Sequence, residues 1–176
     1  MNWQQLLIDG FNRVHDAMKR TLDGLTKEEL DRQPRPDANS TGWLCWHLTR
    51  GLDRSIVNLR NSGEQLWIKD KWHTKFNRPV DPKDTGFKHE PDDVQVFKSP
   101  EVKTFIDYHG AVLEQTKKYI ESLIEKDLDR KLDEPWFMPT PTVGVRLISL
   151  LAEGLQHIGQ AAYIRGLFQG KGWLPV

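Results

Sequence analysis

Apolar residues recur along this chain at spacings of three, four and seven over four long stretches, the mark of helices with one buried side. In the first stretch, residues 2–24, the apolar stripe is Leu6, Leu7, Phe11, Val14, Met18 and Leu22, carried on by Leu25. Asn12, Arg13, Asp16, Lys19 and Arg20 form its polar face. Thr26-Lys27-Glu28-Glu29 has the form of a capping box and predicts a short helical turn, which Pro34 and Pro36 end. The second long helix opens at Asn39 or Ser40, both good N-caps, and runs to about Asn61. Leu44, Leu48, Leu52, Ile56 and Leu59 mark its stripe. Ser99-Pro100 predicts the start of the third helix, which reaches about Glu125 and buries Phe105, Val112, Leu113, Thr116, Tyr119 and Ile120. The fourth opens near Thr140-Pro141-Thr142 and continues to about Phe168, where Gly170 and Gly172 stop it. Its stripe is Leu147, Leu150, Leu151, Gly154, Leu155, Ile158, Ala161 and Ala162, with Arg165 at the same angle.

Two irregular connections interrupt this pattern. Residues 62–98 contain Gly63, Pro79, Pro82, Gly86 and Pro91 and show no sustained period. Connections of that length inside a compact domain tend to be functional or disordered. Trp67, Trp72, Phe76, Phe87 and Phe97 favour packing, so this segment is expected to form a cover over one end, with short helical turns. Residues 127–142 form the second connection, with Asp133-Glu134-Pro135-Trp136-Phe137-Met138 as a short extended piece. Four amphipathic helices without a strand pair predict an all-α four-helix bundle with long crossover connections, one domain over residues 1–176.

Composition narrows the function classes. Acidic and basic residues balance at 25 each and are interspersed, so no surplus of charge draws nucleic acid or an anionic membrane. Cys45 is the one cysteine, which excludes an intrachain disulfide and cysteine-rich zinc motifs. No basic segment with an apolar core follows Met1, and no apolar run approaches a membrane span. The expected location is therefore the cytoplasm, with a small molecule as the natural partner. Exposed helix flanks leave room for a homodimer.

The candidate chemistry lies on the second and fourth helices. Glu153-Gly154-Leu155-Gln156-His157 stacks a carboxylate and an imidazole four residues apart on one side of a helix. His47 sits at the flank of the second stripe, near Leu44 and Gly51. If those helices pack together, His47, Glu153 and His157 meet as two imidazoles and one carboxylate. Three such ligands leave a coordination position open for water or substrate, whereas a structural site normally supplies four. Spacing alone does not assign them, because Glu-x-x-x-His pairs recur by chance and a lone interior histidine is usually a hydrogen-bonded core residue. Of the other histidines, His15 falls toward the polar face and is expected to be solvated. His73 and His89 belong to the long connection and its cover, and His109 has no evident ligand partner. Cys45 reads as a small buried side chain.

Ala38-Asn39-Ser40-Thr41-Gly42-Trp43-Leu44-Cys45-Trp46-His47-Leu48 resembles the second-helix motif of the DinB-like superfamily. Glu153-Gly154-Leu155-Gln156-His157-Ile158-Gly159-Gln160-Ala161-Ala162-Tyr163-Ile164-Arg165 resembles that family's last-helix motif. Helix order and the Leu25-to-Leu30 segment extend the likeness over essentially the whole chain. The resemblance implies a four-helix bundle holding a divalent metal on a triad from helices two and four. Most members place histidine where this chain has Glu153; the His, Glu, His variant is similar to the helical domain of mycothiol-dependent maleylpyruvate isomerase. It further implies a metal- and thiol-dependent transferase or isomerase, with a low-molecular-weight thiol held as thiolate for attack on an electrophile. Zinc or nickel suits the donor set best, and iron or manganese is compatible with it. Trp43 and Trp46 are expected to cover the substrate, with Tyr163 and Arg165 as further candidates for its polar groups. A metal-dependent hydrolase and a non-catalytic metal-binding stress or scaffold protein remain open on the sequence.

Overall fold

A computed structural model describes residues 1–134 and 138–174. Its eight α-helices are α1 (Trp3–Leu22), α2 (Lys27–Asp31), α3 (Thr41–Arg60), α4 (Leu66–Lys69), α5 (Trp72–Lys75), α6 (Pro91–Gln95), α7 (Val102–Ser122) and α8 (Val143–Gln169). The four long ones match the four periodic stretches, and no strand forms among the described residues. Local chemistry explains most ends. Thr26 and Glu29 close the expected capping box at α2, Ser40 Oγ accepts from Trp43 N–H at the start of α3, and Thr142 caps α8. Asn61 ends α3 in the left-handed conformation, and Gly170 ends α8.

The third long helix begins later than Ser99-Pro100 suggests. Ser99 N–H donates to Asp31 Oδ1 at 2.8 Å, and its side chain is buried against Gly42. That tie to the end of α2 holds Ser99 away from a capping role, and Glu101 becomes the N-cap without a side-chain bond. Of the extended piece expected at 133–138, residues 135–137 lie outside the described residues. At its base, Lys131 and Thr142 form a single antiparallel bridge.

Contacts between named residues give the helix directions. Gly10 lies against Leu151 and Val14 against Gly154, while Arg165 reaches the Arg20 carbonyl, so α1 and α8 run parallel. Gln4 reaches Leu123 and His15 meets His109, which makes α7 antiparallel to α1. Tyr108 bonds Asp53 and Tyr119 bonds the Leu59 carbonyl, so α3 and α7 are parallel. The bundle is therefore up, down, down, up. A parallel neighbour requires the chain to climb back about 30 Å, the length of a 20-residue helix, which is why the connection from α3 to α7 is long.

Phe11, Val14, Met18 and Leu22 of α1 meet Leu44, Leu52 and Ile56 of α3, Val112 and Ile120 of α7, and Leu147, Ile158 and Ala161 of α8 in the core. Each such side chain contributes about 1.5–3 kcal/mol by leaving water. Leu155, by contrast, is exposed. Apolar residues occur on both sides of α8, so periodicity alone could not choose the buried one.

The long connection packs as a cover. Leu66, Trp67, Trp72, Phe76, Val94 and Phe97 are buried in it, although Phe87 is 74% exposed. Its anchor is polar. Arg50, wholly buried, donates to the carbonyls of Asp81, Pro82 and Asp84 and to Gln65 Oε1. Asp53, equally buried, accepts from Leu66 N–H at 3.0 Å, Trp67 N–H at 2.9 Å and Tyr108 O–H at 2.7 Å. One turn of α3 thus holds both limbs of the connection.

Candidate metal centre

α3 and α8 pack antiparallel, which brings His47 against Glu153 and His157. His47 Nε2 lies 3.7 Å from Glu153 Oε1, and His157 Nε2 lies 3.9 Å from the same oxygen. One ligand atom from each residue falls within 4.8 Å of the others. The donor atoms of a four-coordinate site with bonds near 2.1 Å stand about 3.4 Å apart, so a contraction of under about 1.5 Å would close this group on an ion. No other such group of three ligating side chains occurs among the described residues, and none of the remaining histidines joins this one.

Hydrogen bonds settle which ring nitrogens face inward. His47 Nδ1 is bonded to the Thr85 carbonyl oxygen, an acceptor, so Nδ1 carries the proton and donates. His157 Nδ1 lies 2.8 Å from Gln160 Oε1, again as donor. Both Nε2 lone pairs are then free for a metal, and both rings are fixed from behind. Trp43 adds a stacked contact on His47, with ring centroids 4.8 Å apart and planes 11° apart. Burial lowers the His47 pKa, the Thr85 bond opposing it, and so favours the neutral ring that ligates.

The Thr85 carbonyl is delivered by the cover. Gly86 has φ of +84°, and a Cβ there would stand 2.7 Å from the Trp43 ring and 3.0 Å from His47 Nδ1. Asp84 holds the turn by accepting from Arg78 at 2.8 Å and Gly86 N–H at 3.3 Å and by pairing with His89. These contacts outweigh burial and keep its carboxyl below the usual range. His89 also accepts from Trp43 Nε1 at 3.2 Å, which ties His89 into the cover and away from the triad.

Several expectations are corrected here. Trp46 is fully buried and Trp43 nearly so, so they stand behind His47 and do not cover a substrate. Tyr163 is 70% exposed on the outer side of α8, and Arg165 is spent on the carbonyls of Arg20 and Thr21. His15, expected to be solvated, is half-buried; it stacks on buried His109, their Nδ1 atoms 3.0 Å apart. Burial pushes the Cys45 thiol far up, leaving it inert.

Beside His47 and Glu153 lies a cavity of about 680 Å³, lined also by Gly51 and side chains farther along α3, by Thr85 and Phe87 of the cover, and by residues 130–134 and Arg146. Glu153 is 41% exposed into this space, whereas the His47 ring is nearly covered. Thr85 and Gly86 were not legible as site residues, because a backbone carbonyl and a glycine carry no signal until the cover is folded, while Gln160 stood in the last-helix motif without an assigned role.

A crystal structure of a conserved protein from Enterococcus faecalis is similar over 97% of this chain and 99% of that one, with 32% identity and a TM-score of 0.88. No curated protein matches. The model of the DinB superfamily matches residues 11–161, from α1 through all three members of the triad. With that match laid over this bundle, the chain belongs to the DinB superfamily.

Proposed function

We propose that this chain is a divalent-metal-dependent enzyme in which His47, Glu153 and His157 hold the metal and a low-molecular-weight thiol reacts with an electrophilic small molecule at its open side. The observation that supports this reading is the convergence of three ligand atoms beside a cavity large enough for an organic molecule. A bound dication lowers the pKa of a ligated thiol or water toward neutrality. The chain's own residues supply the rest. Thr85 and Gln160 hold the imidazoles in the ligating tautomer. Glu153 contributes a negative charge, which leaves the centre less electrophilic than three imidazoles would. Gly51 keeps the space beside Glu153 open, since a Cβ there would sit 3.5 Å from Oε1. Zinc or nickel fits this donor set best; iron and manganese are the other choices.

Elemental analysis of protein purified without an affinity tag tests the centre. About one metal per chain is expected, and its loss in His47→Ala, Glu153→Ala and His157→Ala proteins that keep their helical circular dichroism. Thiol-dependent consumption of 1-chloro-2,4-dinitrobenzene by the metal-loaded protein would then support transfer, and thiol-independent cleavage of an ester would replace it with hydrolysis. A folded wild type that stays empty after exposure to zinc, nickel, iron and manganese would end the metalloenzyme reading.

A further inference from the structure

The wall of the cavity beside His47 and Glu153 is strongly charged. Arg54, Arg130, Lys131 and Arg146 line it, against Asp133, Glu134 and Glu153. Two of these carboxylates are already engaged, Glu134 with Arg146 and Glu153 with the two histidines. Arg130 gives one N–H to the Leu59 carbonyl at 2.9 Å, which leaves its charge without a carboxylate among the described residues. Arg54 is half-buried on α3, and no hydrogen bond or ion pair holds it among the described residues. A guanidinium drawn partly out of water and left unpaired costs free energy that a bound anion recovers. Its planar fork matches a carboxylate in particular.

Register places Arg54 usefully. It follows His47 by seven residues, two turns of α3, so both lie on one face about 10 Å apart. Gly51 lies between them and leaves that stretch of wall bare. Asn58 comes one turn after Arg54 and lines the same cavity, and Phe87 adds a flat apolar surface to its lining. Together these make a trough with a cationic end and a ligating end.

We propose that this cavity binds a carboxylate-bearing organic molecule, its carboxylate held by Arg54 with Arg130 adding charge, and its reacting end about 10 Å away at the open side of the triad. The proposal rests on the reading of His47, Glu153 and His157 as the reaction centre. Selection is by charge: a neutral molecule of the same shape would leave Arg54 unpaired and is rejected for that reason.

Adipate and its neutral isostere adipamide test this by calorimetric titration of zinc-treated protein, with zinc content measured on the same samples. Adipate is expected to bind at least tenfold more tightly than adipamide and to weaken as salt is raised. Arg54→Met should weaken adipate at least tenfold with zinc content and helicity unchanged, and Arg54→Lys should restore part of the loss. Because a carboxylate can also ligate zinc directly, His157→Ala protein is titrated too, and binding through Arg54 should persist there. Equal affinity for the two probes, or adipate binding indifferent to Arg54→Met, overturns the proposal. The two readings fail separately: protein that takes no zinc yet binds adipate through Arg54 keeps the anion site and removes the metal, and protein that holds zinc and ignores adipate does the reverse.

Discussion

At the scale of single residues, Gly86 sets the position of His47. Its positive φ suits glycine, and the space a methyl group would need is filled by Trp43, Trp46 and His47. Gly86→Ala is expected to cost about 1–3 kcal/mol in urea denaturation, from backbone strain and crowding together. It should also weaken metal binding in competition with a chelator, because the Thr85 carbonyl that orients His47 moves with it. Unchanged metal affinity in a destabilised Gly86→Ala protein would show that the carbonyl does not orient the ring. Among the site's residues, His47, Glu153 and His157 were legible from side-chain type and helical spacing taken together with the resemblance to the DinB-like motifs, and they do come together. Thr85 was not legible, since it acts through its backbone and lies 38 residues from its partner.

At the scale of elements, two buried polar contacts fix how the helices and the cover meet. Asp53 and Arg50 lie 3.6 Å apart with both side chains out of water. Burial raises the Asp53 carboxyl, while its bonds from Trp67, Tyr108 and Leu66 oppose that shift. Asp53→Ala would strand Arg50 and two backbone N–H groups, at an expected cost of about 3–5 kcal/mol. Limited proteolysis should then cut within residues 66–90 before the bundle unfolds; an intact cover in that variant would mean the apolar contacts suffice.

The second contact is His15 on His109, where α1 crosses α7. Burial pulls the His109 pKa down to about 3 and lowers that of His15 as well. In the unfolded chain both rings titrate near 6.5. Between those values the unfolded state binds more protons, so stability is full above pH 6.5 and declines as pH falls toward 3. The expected slope is on the order of 1 kcal/mol per pH unit for His109, with a smaller addition from half-buried His15, whose charge solvent screens. Replacing both by leucine should flatten it, read as denaturation midpoints between pH 7 and 4. Slopes that stay equal would assign the acid sensitivity to carboxylates. The sequence did not reveal this pair, because His15 sits among polar residues and only the packing of α7 buries it.

At the scale of the whole molecule, fold class was plain in the sequence because four stripes of Leu, Ile, Val and Phe kept helical period over 20 residues or more. The side that α8 buries was not, since it is apolar on both. Val145, Ile148, Leu155, Tyr163 and Leu167 remain exposed along it. The homodimer expected from the sequence would find its apolar contact surface here. Sedimentation velocity should give a dimer that Ile148→Lys with Leu155→Lys converts to a monomer, and a monomeric wild type at high concentration would refute that reading. No helix among the described residues is long and apolar enough to cross a membrane.

His47 on α3 lies more than a hundred residues before Glu153 and His157 on α8. The ligand set therefore cannot assemble on a nascent chain until α8 has emerged and docked antiparallel on α3. A ribosome-bound fragment ending before α8 would expose His47 as a lone imidazole, with no grip on any ion. On the proposed reading of this group as a metal centre, an ion would therefore find its three ligands only after α8 has docked on α3, so that its capture would report completed packing of those two helices.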